Sequence, residues 1–325
     1  MMYVQAIIGF ALLLGAAEIL VRGAVSLARI LGISPLVIGM TVVAFGTSAP
    51  EFVVSGQAAL DGVAGIALGN VIGSNIANIM LILGVAGLIM PIKVNPKMLR
   101  SDALILIAVT ALFVVLCLAQ ALGLIGGVIL LVAFIAFLVT SYVRETRSRN
   151  PEAQMHAQEA EEVEALKGGP WVAAAATVGG LAGIIFGADL LVTGGTEIAR
   201  TFGVSEEVIG LTMIAIGTSL PELAASAVAA RRGHADVAVG NVVGSNLFNI
   251  LGVMGVAAVL APAPIAIADQ IFQFDLWVLA GATVILLPFL TTNLRLDRWE
   301  AGLLLGGYVL YIAVQAIGVD RLFGA

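Results

Sequence analysis

The chain has 325 residues, 60% of them hydrophobic and 11% charged, with a mean hydropathy of +1.10. Soluble domains carry about 25% charged residues, so the composition excludes a soluble globular domain and defines a polytopic membrane protein. The formal net charge of −6 does not imply a basic partner, because much of it comes from one acidic connecting stretch, and no basic tract suggests nucleic-acid binding.

A run of roughly 20 apolar residues is long enough to cross a bilayer core. Such runs predict spans at 3–27, 36–59, 66–90, 102–119 and 122–143, then at 172–199, 207–230, 237–260, 276–292 and 300–318. The first has no basic region before it and no small-residue cleavage site after it, so it reads as a retained helix rather than a signal peptide. Cys117 is the single cysteine, which leaves no disulfide within the chain, and its apolar span makes it a packing residue. Between the fifth and sixth spans lies 144–169, which holds Glu145, Glu152, Glu159, Glu161, Glu162 and Glu164 beside Arg144, Arg147, Arg149 and Lys167. It lacks apolar periodicity and is expected to be a solvated linker. The expected domains are therefore residues 1–143, the linker 144–169, and residues 170–325.

The two halves are copies. Shifting the sequence by 171 residues gives 24 identities in 43 positions over 37–79 without a gap, and matches Ala17, Val21, Gly23, Ala28, Arg29 and Gly32 upstream. Each half has five spans, an odd number, so the second copy must enter the membrane with opposite orientation. Cytoplasmic loops are enriched in Lys and Arg. With both termini outside, the cytoplasmic connections hold 12 of the 15 Lys and Arg residues, which supports ten spans and inversion. Inverted repeats of this kind build many secondary transporters, which bind substrate near the membrane midplane.

The most similar segments carry the chemistry. GTSAPE at 46–51 recurs as GTSLPE at 217–222, and GNVIGSNIAN at 69–78 recurs as GNVVGSNLFN at 240–249. A charge at the centre of a membrane helix costs about 2.5–3.5 kcal/mol or more, yet Glu51 and Glu222 lie about two thirds of the way along matched spans without a Lys or Arg in either motif. Cations or protons are left to compensate them. Pro50 and Pro221 lack the N–H that would bond the carbonyls of Gly46 and Gly217, and are expected to open both helices. Thr47, Ser48, Thr218 and Ser219 add hydroxyl oxygens. Ser74 and Asn78, like Ser245 and Asn249, stand four apart and share a helical face. Gly69, Gly73, Gly240 and Gly244 predict close helix approach. Asn70, Asn75, Asn241 and Asn246 fit either a site or the polar contacts that hold membrane helices together. A set made only of oxygen donors suits a hard cation such as Ca²⁺; thiolate and imidazole are absent, and His156 and His234 fall in solvated connections.

These paired motifs resemble the α-repeats of the Ca²⁺/cation antiporter superfamily, and within it the Na⁺/Ca²⁺ exchanger family, over essentially all ten spans and most specifically in 39–79 and 210–250. The resemblance implies an all-α membrane fold of two inverted five-helix repeats in a prokaryotic cell membrane, an antiporter of Ca²⁺ and Na⁺ rather than an enzyme, with no cofactor and no obligate protein partner. It implies that Glu51, Glu222 and the backbone oxygens of Thr47 and Thr218 bind Ca²⁺. Flanking Na⁺ sites would use Ser48, Ser74 and the Ala44 carbonyl, and Ser219, Ser245 and the Ala215 carbonyl, with Asn78 and Asn249 completing the centre. Some relatives, K⁺-dependent ones among them, carry Asp where this chain has Asn249, which argues against K⁺ co-transport. The linker is too short for a large regulatory domain.

The same residues also admit other readings. A buried glutamate also accepts protons, which leaves a Ca²⁺/H⁺ exchanger as the nearest alternative. A cation channel fits paired broken helices less well, and an intramembrane hydrolase would need a nucleophile or metal set that does not accompany the two acids. Glu18 and Asp189, matched on the first and sixth spans, fit either the ion path or polar contacts between helices.

Overall fold

The computed structural model describes residues 1–33, 35–93, 96–147, 169–202, 215–291 and 295–317. In chain order the helices are α1 (Met2–Leu31), α2 (35–47), α3 (Ala49–Leu60), α4 (Ala64–Ile89), α5 (Pro96–Leu118) and α6 (Leu124–Arg147). After the linker come α7 (Gly169–Thr201), α8 (Ala215–Arg231), α9 (Ala235–Leu260), α10 (Leu276–Thr291, entered through a π turn at Ile271–Asp275) and α11 (Arg298–Ile317). Two short strands, β1 (Ile92–Lys93) and β2 (Arg295–Leu296), pair antiparallel, Ile92 opposite Leu296. Six helices among the described residues are long and apolar enough to cross a membrane, and 102–118 and 271–286 are shorter apolar helices. The two remaining expected spans carry the GTSxPE motifs: the first is divided into α2 and α3, and the second is described only from Ala215 onward. Residues 148–168 of the expected linker lie outside the described residues.

The duplication reappears in the helix boundaries. In α4, an α segment Ala64–Ile76 passes into a π turn Ala77–Ile82 and back to α at Leu83–Ile89; α9 repeats this at Ala235–Leu247, Phe248–Val253 and Met254–Leu260, each bound shifted by 171. The turns before them match as well. Gly62 and Gly233 take φ of 77° and 79°, a left-handed conformation that glycine adopts without steric cost.

The chain gathers into two compact units. The first comprises Met1–Thr47 and Ala136–Gly244. Its centre is the pairing of α1 with α7, built from small residues that let backbones approach where lipid supplies no hydrophobic driving force between helices. A Cβ placed on Gly9 would lie 2.5 Å from the Leu191 nitrogen, and one on Gly180 would lie 2.6 Å from the Leu20 nitrogen. Likewise Gly23 meets Thr177 and Gly194 meets Ala6. Partner numbers fall along α7 as they rise along α1, so the helices run antiparallel. The 171-residue shift maps Gly9–Leu191 onto Gly180–Leu20, and Gly23–Thr177 onto Gly194–Ala6. These helices begin the two copies, so their antiparallel course is the inversion seen directly. Leu20, Val21, Ala24, Ile184, Ala225 and Val237 fill the core beside them.

The second unit comprises Ser48–Ile135 and Ser245–Ala325. Here α11 crosses α4 at Gly84 and Gly87, where an added Cβ would come within 3.0 Å of the Ala301 carbonyl oxygen and 2.7 Å of the Ala301 Cβ. Gly252 and Gly255 of α9 admit the side chains of Phe52 and Leu131, and Phe134 meets Phe248 edge-on at 4.8 Å. Gly244, in the first unit, has the close approach expected of it, against Met40 and Ala44. Gly69 and Gly73 do not: no described residue comes within 4 Å of a Cβ at either, so the four-residue spacing does not by itself create a helix contact.

Candidate functional site

The two GTSxPE motifs fold differently. In the first, α2 runs through a π turn at Gly39–Val43, where the Ala44 N–H reaches back to the Gly39 carbonyl, and ends at Thr47. Ser48, with φ −81° and ψ 6°, leaves the helix, and α3 restarts at Ala49 with Pro50 in its first turn. Proline fits there because first-turn N–H groups have no helical partner. In the second motif α8 runs unbroken from Ala215 to Arg231 with Pro221 inside it. The expectation that both prolines divide their helices therefore holds only for the first copy. Pro221 still leaves the Gly217 carbonyl without its usual N–H, but the neighbouring turns keep helical geometry. Glu51 is 1% exposed and Glu222 0%, and Thr47, Ser48, Thr218 and Ser219 are buried with them.

The twelve candidate residues divide evenly. Ala44, Thr47, Ala215, Thr218, Ser219 and Glu222 belong to the first unit; Ser48, Glu51, Ser74, Asn78, Ser245 and Asn249 belong to the second. In the first unit Asn241 links Thr47 to Glu222. The Thr47 hydroxyl donates to Asn241 Oδ1 at 3.2 Å, and lies 3.4 Å from the Ala44 carbonyl. Asn241 Nδ2 donates to Ser226 Oγ at 3.0 Å and, more weakly, to the Glu222 carbonyl at 3.4 Å. Ala215 is the first described residue of its span.

In the second unit Asn78 and Asn249 sit in the π turns of α4 and α9. The α-helical spacing expected for Ser74 with Asn78, and for Ser245 with Asn249, is thus interrupted by a wider turn, a distortion frequent at functional sites. Asn78 Nδ2 donates to Asn246 Oδ1 at 3.2 Å, and Asn70 Nδ2 donates to Ser55 Oγ at 3.0 Å. Ser74 Oγ, Asn78 Oδ1 and both side-chain polar atoms of Asn249 are buried with no hydrogen-bond partner among the described residues, as is Ser219 Oγ in the first unit. A buried polar atom left unbonded costs about 1–3 kcal/mol, so the oxygens among them are suited to a ligand that supplies the missing contact. No group of three or more His, Cys, Asp and Glu residues occurs among the described residues; the donors are hydroxyls, amides and single carboxylates.

Ser55 and Ser226 were not among the sequence candidates, although the 171-residue shift pairs them. Glu18 makes polar contacts between helices: Arg22 Nε lies 2.7 Å from its Oε1, Arg232 Nε donates to its Oε2 at 2.9 Å, and Arg231 lies 3.6 Å away. Asp189 is exposed. His234 is half-buried rather than solvated, and burial first, then the charges of Arg29 and Arg232, hold its pKa below the ordinary 6.5. Cys117 is buried and free.

An all-helical membrane fold made of two inverted copies, each presenting a buried glutamate among hydroxyl and amide donors, defines a secondary transporter rather than an enzyme. A model of the Sodium/calcium exchanger protein family matches residues 1–143 and 172–317, and the chain belongs to that family. It is 40% identical over 308 residues to the Putative antiporter CaxA of Alkalimonas amylolytica, covering 94% of this chain and 95% of that one. It is 33% identical over 339 residues to the Sodium/calcium exchanger MaX1 of Methanosarcina acetivorans, covering 95% and 96%. The fold matches the sodium-calcium exchanger NCX_Mj, soaked with 2.5 mM Na⁺ and 0.1 mM Ca²⁺, with a TM-score of 0.82 and 32% identity over 96% of this chain and 97% of that one.

Proposed function

We propose that this chain is a secondary antiporter that exchanges Ca²⁺ for Na⁺ across a prokaryotic cell membrane by alternating access. The observation that carries the reading is the matched pair of buried glutamates, Glu51 and Glu222, each in a span that also buries hydroxyl donors. Each copy contributes one carboxylate to ion binding. Ca²⁺ is bound by Glu51, Glu222 and the backbone oxygens of Thr47 and Thr218. Na⁺ is bound through Ser48, Ser74 and the Ala44 carbonyl, and through Ser219, Ser245 and the Ala215 carbonyl, with Asn78 and Asn249 at the centre. Ligands of this hardness suit both ions.

Two carboxylates supply −2 of charge, enough for one Ca²⁺ or for its Na⁺ replacements but not for both loads together. Competition for one set of charges couples the two fluxes, and unequal affinity of the ions for the inward-open and outward-open states shifts their populations. The excess of Lys and Arg on one set of connections supports both termini outside and 144–169 in the cytoplasm. Its partners are small inorganic cations and the lipid bilayer.

Ca²⁺ uptake into proteoliposomes under imposed Na⁺, H⁺ or K⁺ gradients tests this reading. Uptake driven by an outward Na⁺ gradient, and indifferent to K⁺, is expected. Uptake driven by a pH gradient and indifferent to Na⁺ would replace it with a Ca²⁺/H⁺ exchanger, and uptake that needs no counter-gradient would replace it with a channel.

A further inference from the structure

One bond recurs at the same length in both copies even though their GTSxPE helices differ. Asn70 Nδ2 donates to Ser55 Oγ at 3.0 Å in the second unit, and Asn241 Nδ2 donates to Ser226 Oγ at 3.0 Å in the first. Each serine lies four residues after its glutamate, one helical turn away on the same face. Each asparagine lies four residues before the serine of the SNxxN segment on the next helix. The bond thus ties the turn immediately after the glutamate to the helix bearing the other proposed ligands.

The Asn241 amide holds more than the serine. Its two N–H groups reach Ser226 Oγ and the Glu222 carbonyl, and its oxygen accepts from the Thr47 hydroxyl, which belongs to the first copy's motif. Thr47, Glu222, Ser226 and Asn241 are all 0% exposed. An amide has two donors and one acceptor oxygen to satisfy, and here both donors and the oxygen are engaged. The Thr47 hydroxyl is thereby turned toward protein, which leaves its main-chain oxygen as the group it can offer an ion.

We infer that Asn241, with Ser226, and Asn70, with Ser55, are positioning residues that set the rotation of the glutamate-bearing helices and so the cation affinity of the site. Asn241 also holds Thr47. The inference rests on the ion-binding reading above, and does not require that the coupled ion be Na⁺.

The test is a pair of double-mutant cycles in the full chain. The readouts are the Ca²⁺ concentration for half-maximal uptake, the maximal rate, and the rise in melting temperature of the purified protein on adding Ca²⁺ or Na⁺. Asn241→Ala should raise the half-saturating Ca²⁺ about tenfold with the maximal rate within about twofold, the loss of roughly one net hydrogen bond. Ser226→Ala should raise it about threefold, and the double variant should be no worse than Asn241→Ala. Thr47→Val should likewise be non-additive with Asn241→Ala, and Thr47→Ser should restore affinity. Additive losses in both cycles would overturn the clamp. So would variants that melt at lower temperature while keeping the wild-type Ca²⁺ dependence, since that is what mere helix glue would do. If Asn241→Ala does not fold, Ser226→Ala and Thr47→Val decide the matter through the same two readouts. Should wild-type uptake prove indifferent to Na⁺, the proposed exchange fails, whereas non-additive changes in the Ca²⁺-induced melting shift would still uphold the clamp.

Discussion

GTSAPE and GTSLPE differ at one position, yet the first ends a helix at Thr47 and begins another at Ala49, whereas the second lies within α8, Ala215–Arg231. The prolines are therefore not equivalent. Pro50 occupies the first turn of a helix, where its missing N–H costs nothing. Pro221 stands inside one, where it removes a hydrogen bond and crowds the carbonyl four residues back. What the copies share is the buried glutamate and the Asn–Ser bond one turn beyond it; what they do not share is how the backbone arrives there.

The glutamates test the shared part and carry the largest expected effect. Glu51→Gln and Glu222→Gln should each cut Na⁺-driven Ca²⁺ uptake by about 100-fold or more, the scale of removing one partner from a buried charge interaction, while the protein remains folded by size-exclusion chromatography. A difference of more than about tenfold between them would show that the unequal backbones extend to unequal ion binding.

The prolines test the unshared part. Pro221→Ala restores an N–H inside α8 and should raise stability by up to about 3 kcal/mol, read as the melting temperature in detergent, while slowing exchange by closing the Gly217 carbonyl. Pro50→Ala should change stability by only a few tenths of a kcal/mol, because its N–H would gain no helical partner. Equal effects would mean that α8 is as divided as α2 and α3.

Matched glycines in α1 and α7 test the symmetry away from the motifs. Gly9→Val and Gly180→Val both drive a side chain against backbone, and each should destabilise by about 1–3 kcal/mol through overpacking. Gly281→Val, where an added Cβ meets nothing within 4 Å, should cost far less.

The smallest effect concerns a group present in one copy only. His234 aligns with Val63. Its pKa is held below 6.5 by burial and by Arg29 and Arg232, so protonation costs more in the folded state than in the unfolded chain. Stability should be constant above pH 6.5 in this respect, and fall as pH drops from 6.5 toward the lowered value. His234→Val should narrow the difference between melting temperatures at pH 5.5 and 7.5.

Much of this arrangement is legible in the chain itself. Hydropathy located the spans, and the odd number in each half required inversion, which the antiparallel α1 and α7 display. The 171-residue shift also reproduces the segment boundaries of α4 and α9. The unequal helices around Pro50 and Pro221 were not legible, because identical motifs with identical prolines carry no signal of which neighbours hold the backbone. The π turns at Ala77–Ile82 and Phe248–Val253 were hidden too, since Ser74 and Asn78 satisfy an α-helical spacing on paper. Ser55 and Ser226 were visible as identities but indistinguishable from the packing residues around them. Glu18 meets Arg231 and Arg232 only through folding, across more than 200 positions.

Both motifs matter because Ca²⁺ and Na⁺ are read as rivals for one pair of carboxylates. Equilibrium Ca²⁺ binding to the purified protein, measured across a Na⁺ titration, tests that most directly. Na⁺ should displace Ca²⁺ completely from the wild type, and Glu51→Gln and Glu222→Gln should each bind little Ca²⁺ at any Na⁺ concentration. Full Ca²⁺ occupancy at saturating Na⁺, or wild-type Ca²⁺ affinity in either variant, would contradict it.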